Sequence, residues 1–170
     1  SLFGGQALGS TTLVEALREA EKDKNVVAIV LRIDSPGGSA VASDLIWREF
    51  SRIEKPIIAS MGDVAGSGGY YIAMGADKIL AEPATITGSI GVFGMKPSLG
   101  ALLRRVGVHE ELVALDAAAE MSSLSEPWSD ESKARMQRFV DRIYDVFVGH
   151  VARSRGKTAS EVLAIAGGRV

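Results

Sequence analysis

The sequence contains no cysteine, which excludes disulfides and thiolate metal sites alike but does not identify a compartment. Histidine is scarce as well: His109 and His150 are the only two, too far apart in the chain for a metal motif, so no metal or cofactor is expected. There is no surplus of positive charge. Against 21 Asp and Glu stand 19 Lys and Arg, a formal net charge of -2, which removes the usual drive toward a phosphate backbone and makes nucleic acid an unexpected partner. No apolar run reaches the roughly eighteen residues that a membrane-crossing helix needs, and the first residues lack a basic stretch followed by an apolar core.

What is present, 46% hydrophobic and 24% charged residues over 170 positions, is enough to bury a core without staples. The chain reads as one domain over 1–170. Its ending, Gly167-Gly-Arg-Val170, reads as a cut inside a domain, so a longer chain is expected, with any membrane anchor outside these residues.

Thr12 to Glu15 can form a capping box, and Leu13, Ala16, Leu17 and Ala20 then repeat at helical spacing. Val26 to Ile33 is almost continuously apolar and β-branched, which suits a strand covered on both faces. It ends at Asp34-Ser-Pro-Gly-Gly38, after which Ser39 to Glu54 is helical and Ile57 to Met61 is a second strand. Gly66-Ser-Gly-Gly69 opens a small-residue helix to about Ala76, Asp77-Lys78 reads as a turn, and Lys78 to Ala81 is the next strand. This alternation requires crossover units and hence an α/β fold with a parallel sheet flanked by helices. Further on, Pro97 to Val106 suits a short helix, Leu112 to Leu115 an edge strand, and Met121 to Trp128 a loop. Ser129 can cap a long C-terminal helix whose stripe is Met136, Phe139, Val140, Ile143, Phe147 and Val151. Gly156 stops it, a last helix spans about Ala159 to Ala166, and His150 reads as a surface or helix-end histidine.

Two glycine loops carry the chemical signal. Acyl transfer to serine needs an exposed hydroxyl, a base, and two N–H donors aimed at the oxygen that becomes negative. Ser67 at a strand-to-helix junction offers the first, Gly68 one donor, and the Gly37-Gly38 turn the other. The plainer reading of Ser67 is a helix cap, and of the glycines, ordinary turns in a crossover fold. Against it stands convergence: loops after successive parallel strands meet at one sheet edge, where ligands bind in open α/β folds. Thr87-Gly-Ser-Ile-Gly-Val-Phe-Gly94 lets backbones approach closely and reads as lining the same site. Tyr70 and Tyr71 either wall a groove there or pack in the core.

Asp34 to Gly38, Met61 to Tyr71, Ala76 to Ile79 and Thr85 to Val92, in that order and spacing, resemble the signal peptide peptidase A (protease IV) family, serine peptidases of family S49. The resemblance runs from about Val26 to Val170 and is to the C-terminal, nucleophile-bearing copy of the family's long two-copy form. It implies the fold of the Clp protease proteolytic subunit and the crotonases, and a serine nucleophile paired with a lysine. The nucleophile falls on Ser67, the oxyanion donors on Gly68 and Gly37-Gly38, and the serine that helps hold the lysine on Ser89. It also implies a homo-oligomeric ring or bowl anchored in the bacterial inner membrane, the catalytic domain on the periplasmic or extracytoplasmic side, acting on signal-peptide-like or other apolar peptides.

The base departs from the pattern. In the short form of the family the lysine follows the strand after a Gly-Val-x-x-Glu segment, here Gly107-Val-His-Glu-Glu111, and the corresponding position near Ala114 is not lysine. No lysine occurs between Lys96 and Lys133. One explanation is that an N-terminal copy of the same protein supplies the lysine; the other is that Lys96 or His109 serves as base from within this chain. Two further readings stay open: a non-catalytic copy acting as scaffold or binding module, and a crotonase-like acyl-CoA enzyme.

Overall fold

The structure, a computed structural model, describes residues 8–113 and 117–170. These fall in two compact units: the residues up to Gly91 together with Tyr144–Val170, and Val92–Ile143.

The first unit is built on a parallel sheet. Strand β1 (Ile29–Ser35) pairs with β2 (Ile57–Gly66), whose other edge takes β3 (Lys78–Leu80) along its first half and β4 (Ile86–Gly88) along its last residues. Helix α1 (Ser10–Lys22) precedes the sheet, while α2 (Ala40–Phe50) and α3 (Gly68–Ala73) lie in the crossovers from β1 to β2 and from β2 to β3. Because every pairing is parallel, the carboxyl ends of β1, β2 and β4 come to one edge, at Ser35, Gly66 and Gly88. The core lies in three buried clusters: Leu17, Ile46, Phe50 and Ile57; Ile33, Ala59, Met61, Ala65 and Ala73; and Tyr71, Met74, Ile90, Phe147, Val151 and Val162 among the largest. Close backbone approach holds α3 onto β1, for a Cβ on Gly69 would lie 2.6 Å from the Ser35 carbonyl oxygen.

Several elements depart from the sequence expectation. Helix α1 starts two residues before Thr12 with Gly9 at its cap and no side-chain cap bond, so the capping box does not form. Strand β1 is not covered on both faces: Val30, Arg32 and Asp34 are exposed and alternate with half-buried Leu31 and buried Ile33, so one face only is packed among the described residues. Strand β2 runs on past Met61 to Gly66. It does so through a bulge against β1, where the Asp34 carboxylate accepts the Val64 N–H at 3.1 Å and fills the space that a Cβ on Gly62 would need. Asp77 does more than turn the chain, since its carboxylate accepts the Ile57 N–H and pins the start of β2.

The second unit contains α4 (Gly100–Arg105), a 3-10 turn (Ala117–Ser122) and the first half of α5 (Asp130–Arg155). Ser129 caps α5 through its Oγ, which accepts the Ser132 N–H. Leu112 and Val113 are not in a strand; the rest of that expected strand, and Ala114, lie outside the described residues. Along the apolar stripe of α5, Phe147 and Val151 are buried in the first unit while Phe139 is 58% exposed. Helix α6 (Ala159–Ile165) opens with a complete capping box between Thr158 and Glu161.

Candidate active site

The strand-to-helix turn between β2 and α3 puts Ser67 in an unusual backbone conformation. Its φ is 50° and ψ -116°, and its hydroxyl makes no capping bond to α3, so the plain cap reading does not hold. An L-residue kept at positive φ stores strain that the surroundings must hold in place. Here the clamp is backbone: the Ser67 N–H donates to the Gly88 carbonyl at 2.9 Å, and the Ser67 carbonyl accepts the Tyr71 N–H at 2.8 Å. Ser67 is half-buried, at the mouth of the sheet edge.

The Gly37-Gly38 turn faces it directly. A Cβ on Gly37 would stand 2.8 Å from Ser67 Cβ, 2.9 Å from the Gly68 nitrogen and 3.2 Å from Ser67 Oγ, and one on Gly68 would stand 3.2 Å from the Gly38 nitrogen. Gly37 and Gly38 have φ of 112° and 154°, the first in the region that favours glycine. Among the described residues no backbone bond uses the Gly38 or Gly68 N–H. Two unspent donors thus sit beside one hydroxyl, the arrangement that stabilises an oxyanion. The Ser35 hydroxyl orders the turn by accepting the Gly37 N–H, while buried Ser43 from the first turn of α2 packs against Gly68.

Ser89 joins the same edge. Gly66 pairs with Gly88 in the parallel register, so Ser67 and Ser89 are equivalent next residues on neighbouring strands. Among the described residues they are the two non-glycine residues of positive φ, at 50° and 48°. A Cβ on Gly66 would lie 3.5 Å from Ser89 Cβ.

The two candidate bases lie in the second unit. The Lys96 amine donates to the Glu120 carbonyl at 3.3 Å and stands 5.7 Å from the centre of the Trp128 ring. The Glu120 carboxylate accepts the Ser129 and Ser132 hydroxyls, which, ahead of Lys96, hold it below its ordinary pKa. His109 is exposed and lines a small cleft with Leu103, Arg104, Ser125 and Glu126.

One buried polar cluster escaped the sequence reading. His150 is not a surface residue: it is 8% exposed, stacked on Trp47 with ring centres 3.7 Å apart, its Nε2 3.7 Å from Asp44 and without a hydrogen bond, its Nδ1 beside Arg153. Burial first, then the Arg153 charge, push its pKa below the ordinary value against the pull of Asp44. Tyr71 packs in the core and donates its hydroxyl to Asp44 at 2.9 Å; burial and that bond raise its pKa. Tyr70 is half-buried.

Fold and loops together define a class: an α/β domain that presents a strained serine between glycine loops at the carboxyl edge of a parallel sheet. The family model for peptidase family S49 matches residues 49–170, and the chain belongs to that family. It is 40% identical over 169 residues to the chloroplastic serine protease SPPA of Arabidopsis thaliana, covering 98% of this chain and 25% of that one. It is 39% identical to Protease 4 of Haemophilus influenzae, with 95% and 27% covered, and 35% identical to a putative signal peptide peptidase SppA of Enterococcus faecium, with 100% and 50% covered. The chain therefore spans a quarter to a half of these relatives. Among solved structures, a ClpP1 mutant from Listeria monocytogenes shares the fold at a TM-score of 0.56 and 13% identity, over 91% of this chain and 70% of that one.

Proposed function

We propose that this chain is the nucleophile-bearing part of a serine peptidase, and that Ser67 forms the acyl-enzyme. The observation that carries the reading is the contact between the Gly37-Gly38 turn and the Ser67-Gly68 junction, with the Ser67 backbone at positive φ and, among the described residues, two N–H groups without a backbone bond beside its hydroxyl. In the reaction the Ser67 oxygen adds to a peptide carbonyl while its proton passes to a base. The new oxyanion takes hydrogen bonds from Gly38 and Gly68, worth about 3–4 kcal/mol apiece in the transition state. Collapse expels the amine with the proton held by the base; water, deprotonated by the same base, then releases the acid and restores Ser67.

The base in this reading is a lysine from another copy, held neutral by apolar burial because its ordinary pKa of about 10.4 is too high to accept a proton at pH 7. Three observations favour this origin. Lys96 is bonded to Glu120, the Lys55 amine is bonded to the Ala20 and Asp23 carbonyls, and the relatives extend well beyond the span of this chain. Ser89, next to Ser67 at the same register, is the residue to hold that lysine. Apolar, signal-peptide-like segments are the proposed substrates, cleaved by a membrane-anchored oligomer outside the cytoplasm.

In the full-length protein, Ser67→Ala should abolish cleavage of apolar peptides while leaving the melting temperature within a few degrees. Cleavage at the wild-type rate by that variant would refute the assignment. Should the unaltered full-length protein cleave nothing and react with no serine-directed probe, the scaffold reading would replace it.

A further inference from the structure

The segment Gly167–Arg169 has no role in the reading above, yet it is bonded to the residues that directly follow β4, whose last residue clamps Ser67. The Ser89 N–H donates to the Arg169 carbonyl at 2.7 Å, and the Ile90 carbonyl accepts both the Gly167 and Gly168 N–H groups at 3.0 Å. The two backbones touch along this stretch: a Cβ on Gly91 would lie 3.0 Å from the Gly168 nitrogen, and one on Gly88 3.3 Å from the Arg169 carbonyl oxygen. The Gly88–Ser89 peptide group is consequently held at both ends. Its carbonyl receives the Ser67 N–H, and its N–H is given to Arg169.

We propose that Gly167–Arg169 is a positioning segment for the nucleophile, acting through the Gly88–Ser89 peptide. This rests on the reading of Ser67 as nucleophile. The segment brings no side chain to the core: residues 167–170 are exposed, whereas Ala166 before them is fully buried among Ile90 and Val162. Its shape is a backbone property. Gly167 and Gly168 have φ of 82° and 75°, and a Cβ on either would meet no atom within 4 Å. Substitution there is opposed by backbone conformation alone, which β-branched residues tolerate worst and asparagine best. Two consecutive glycines in that conformation turn the chain so that Arg169 presents its carbonyl to Ser89. Without that acceptor the Gly88–Ser89 peptide can tilt. Ser67 then loses the fixed partner of its N–H, and its hydroxyl leaves the line to the two oxyanion donors, an error of the size that costs on the order of a hundredfold in rate.

The test is the series Gly168→Asn, Gly168→Ala and Gly168→Val in the full-length protein, read by fluorophosphonate labelling of Ser67 and by hydrogen exchange of the Ser67 and Ser89 amides. Labelling should fall in the order Gly, Asn, Ala, Val, by tenfold or more at Val. In peptide cleavage the loss should appear in kcat with KM little changed, and both amides should exchange at least tenfold faster while the rest of the fold keeps its protection. If valine prevents folding, the alanine and asparagine variants decide by the same readouts. Wild-type labelling across the series, or unchanged exchange at Ser67, would overturn the proposal. If the unaltered protein does not label at Ser67 the functional reading fails instead, and the exchange arm still decides whether this segment fixes Ser67.

Discussion

At the scale of single residues, glycine matters where a Cβ would strike the site. Gly37 combines a φ of 112° with a would-be Cβ 2.9 Å from the Gly68 nitrogen. Gly37→Ala should therefore misplace one oxyanion donor and lower kcat/KM by about a hundredfold, with KM and overall folding little changed; a near-normal rate would show that the turn does not serve the oxyanion. Ser67 illustrates the opposing demand. A serine at φ 50° is strained, so, with Ser67 as the proposed nucleophile, Ser67→Gly should raise stability by about 1 kcal/mol in denaturant unfolding while eliminating acylation. A loss of stability would mean that the Ser67 side chain is a structural prop. The sequence made this pair legible because both loops are marked by glycine in quick succession. It could not show Ser43 or Asp34, whose packing against Gly68 and Gly62 depends on neighbours from other elements.

At the scale of elements, α2 and α3 begin at the two donor loops and are joined at Asp44, Tyr71, Trp47 and His150. His150 faces Asp44, Arg48 and Arg153, and its pKa is lowered in the folded chain by burial and then by Arg153. In the unfolded chain a histidine protonates near its ordinary pKa of about 6.5. Below that pH the unfolded state binds more protons than the folded one, so this group makes stability fall as pH falls from about 7 toward 5. Thermal melting should show that decline, and His150→Gln should flatten it; an identical slope in the variant would remove His150 as its source. Carboxylates such as Glu49, held below the ordinary range chiefly by its bonds to Arg18, add a loss at more acidic pH. The helices with strong local patterning were readable from the sequence, as α2, α5 and α6 attest. Strand β2 was not read past Met61, because Gly62-Asp63 has turn chemistry and the partners that keep that stretch in the sheet, β4 and the Asp34 carboxylate, come from elsewhere in the chain. His150 was misread for the same kind of reason: its partner Trp47 is a hundred positions away on another helix.

At the scale of the molecule, the parallel sheet brings the ends of β1, β2 and β4 together, and that convergence turns scattered glycines and serines into one site. In the proposed reading this chain brings the nucleophile and the donors, while the Lys96 amine is bonded to the Glu120 carbonyl within the second unit. Activity is therefore expected of the assembled protein and little of these residues alone. The most direct measurement is fluorophosphonate labelling of the full-length protein and of the isolated 170-residue chain, followed by mass mapping of the adduct. The account predicts a single adduct on Ser67 in the full-length protein, absent from Ser67→Ala, with slow labelling of the isolated chain. An adduct on any other residue, or undiminished labelling of Ser67→Ala, would contradict it.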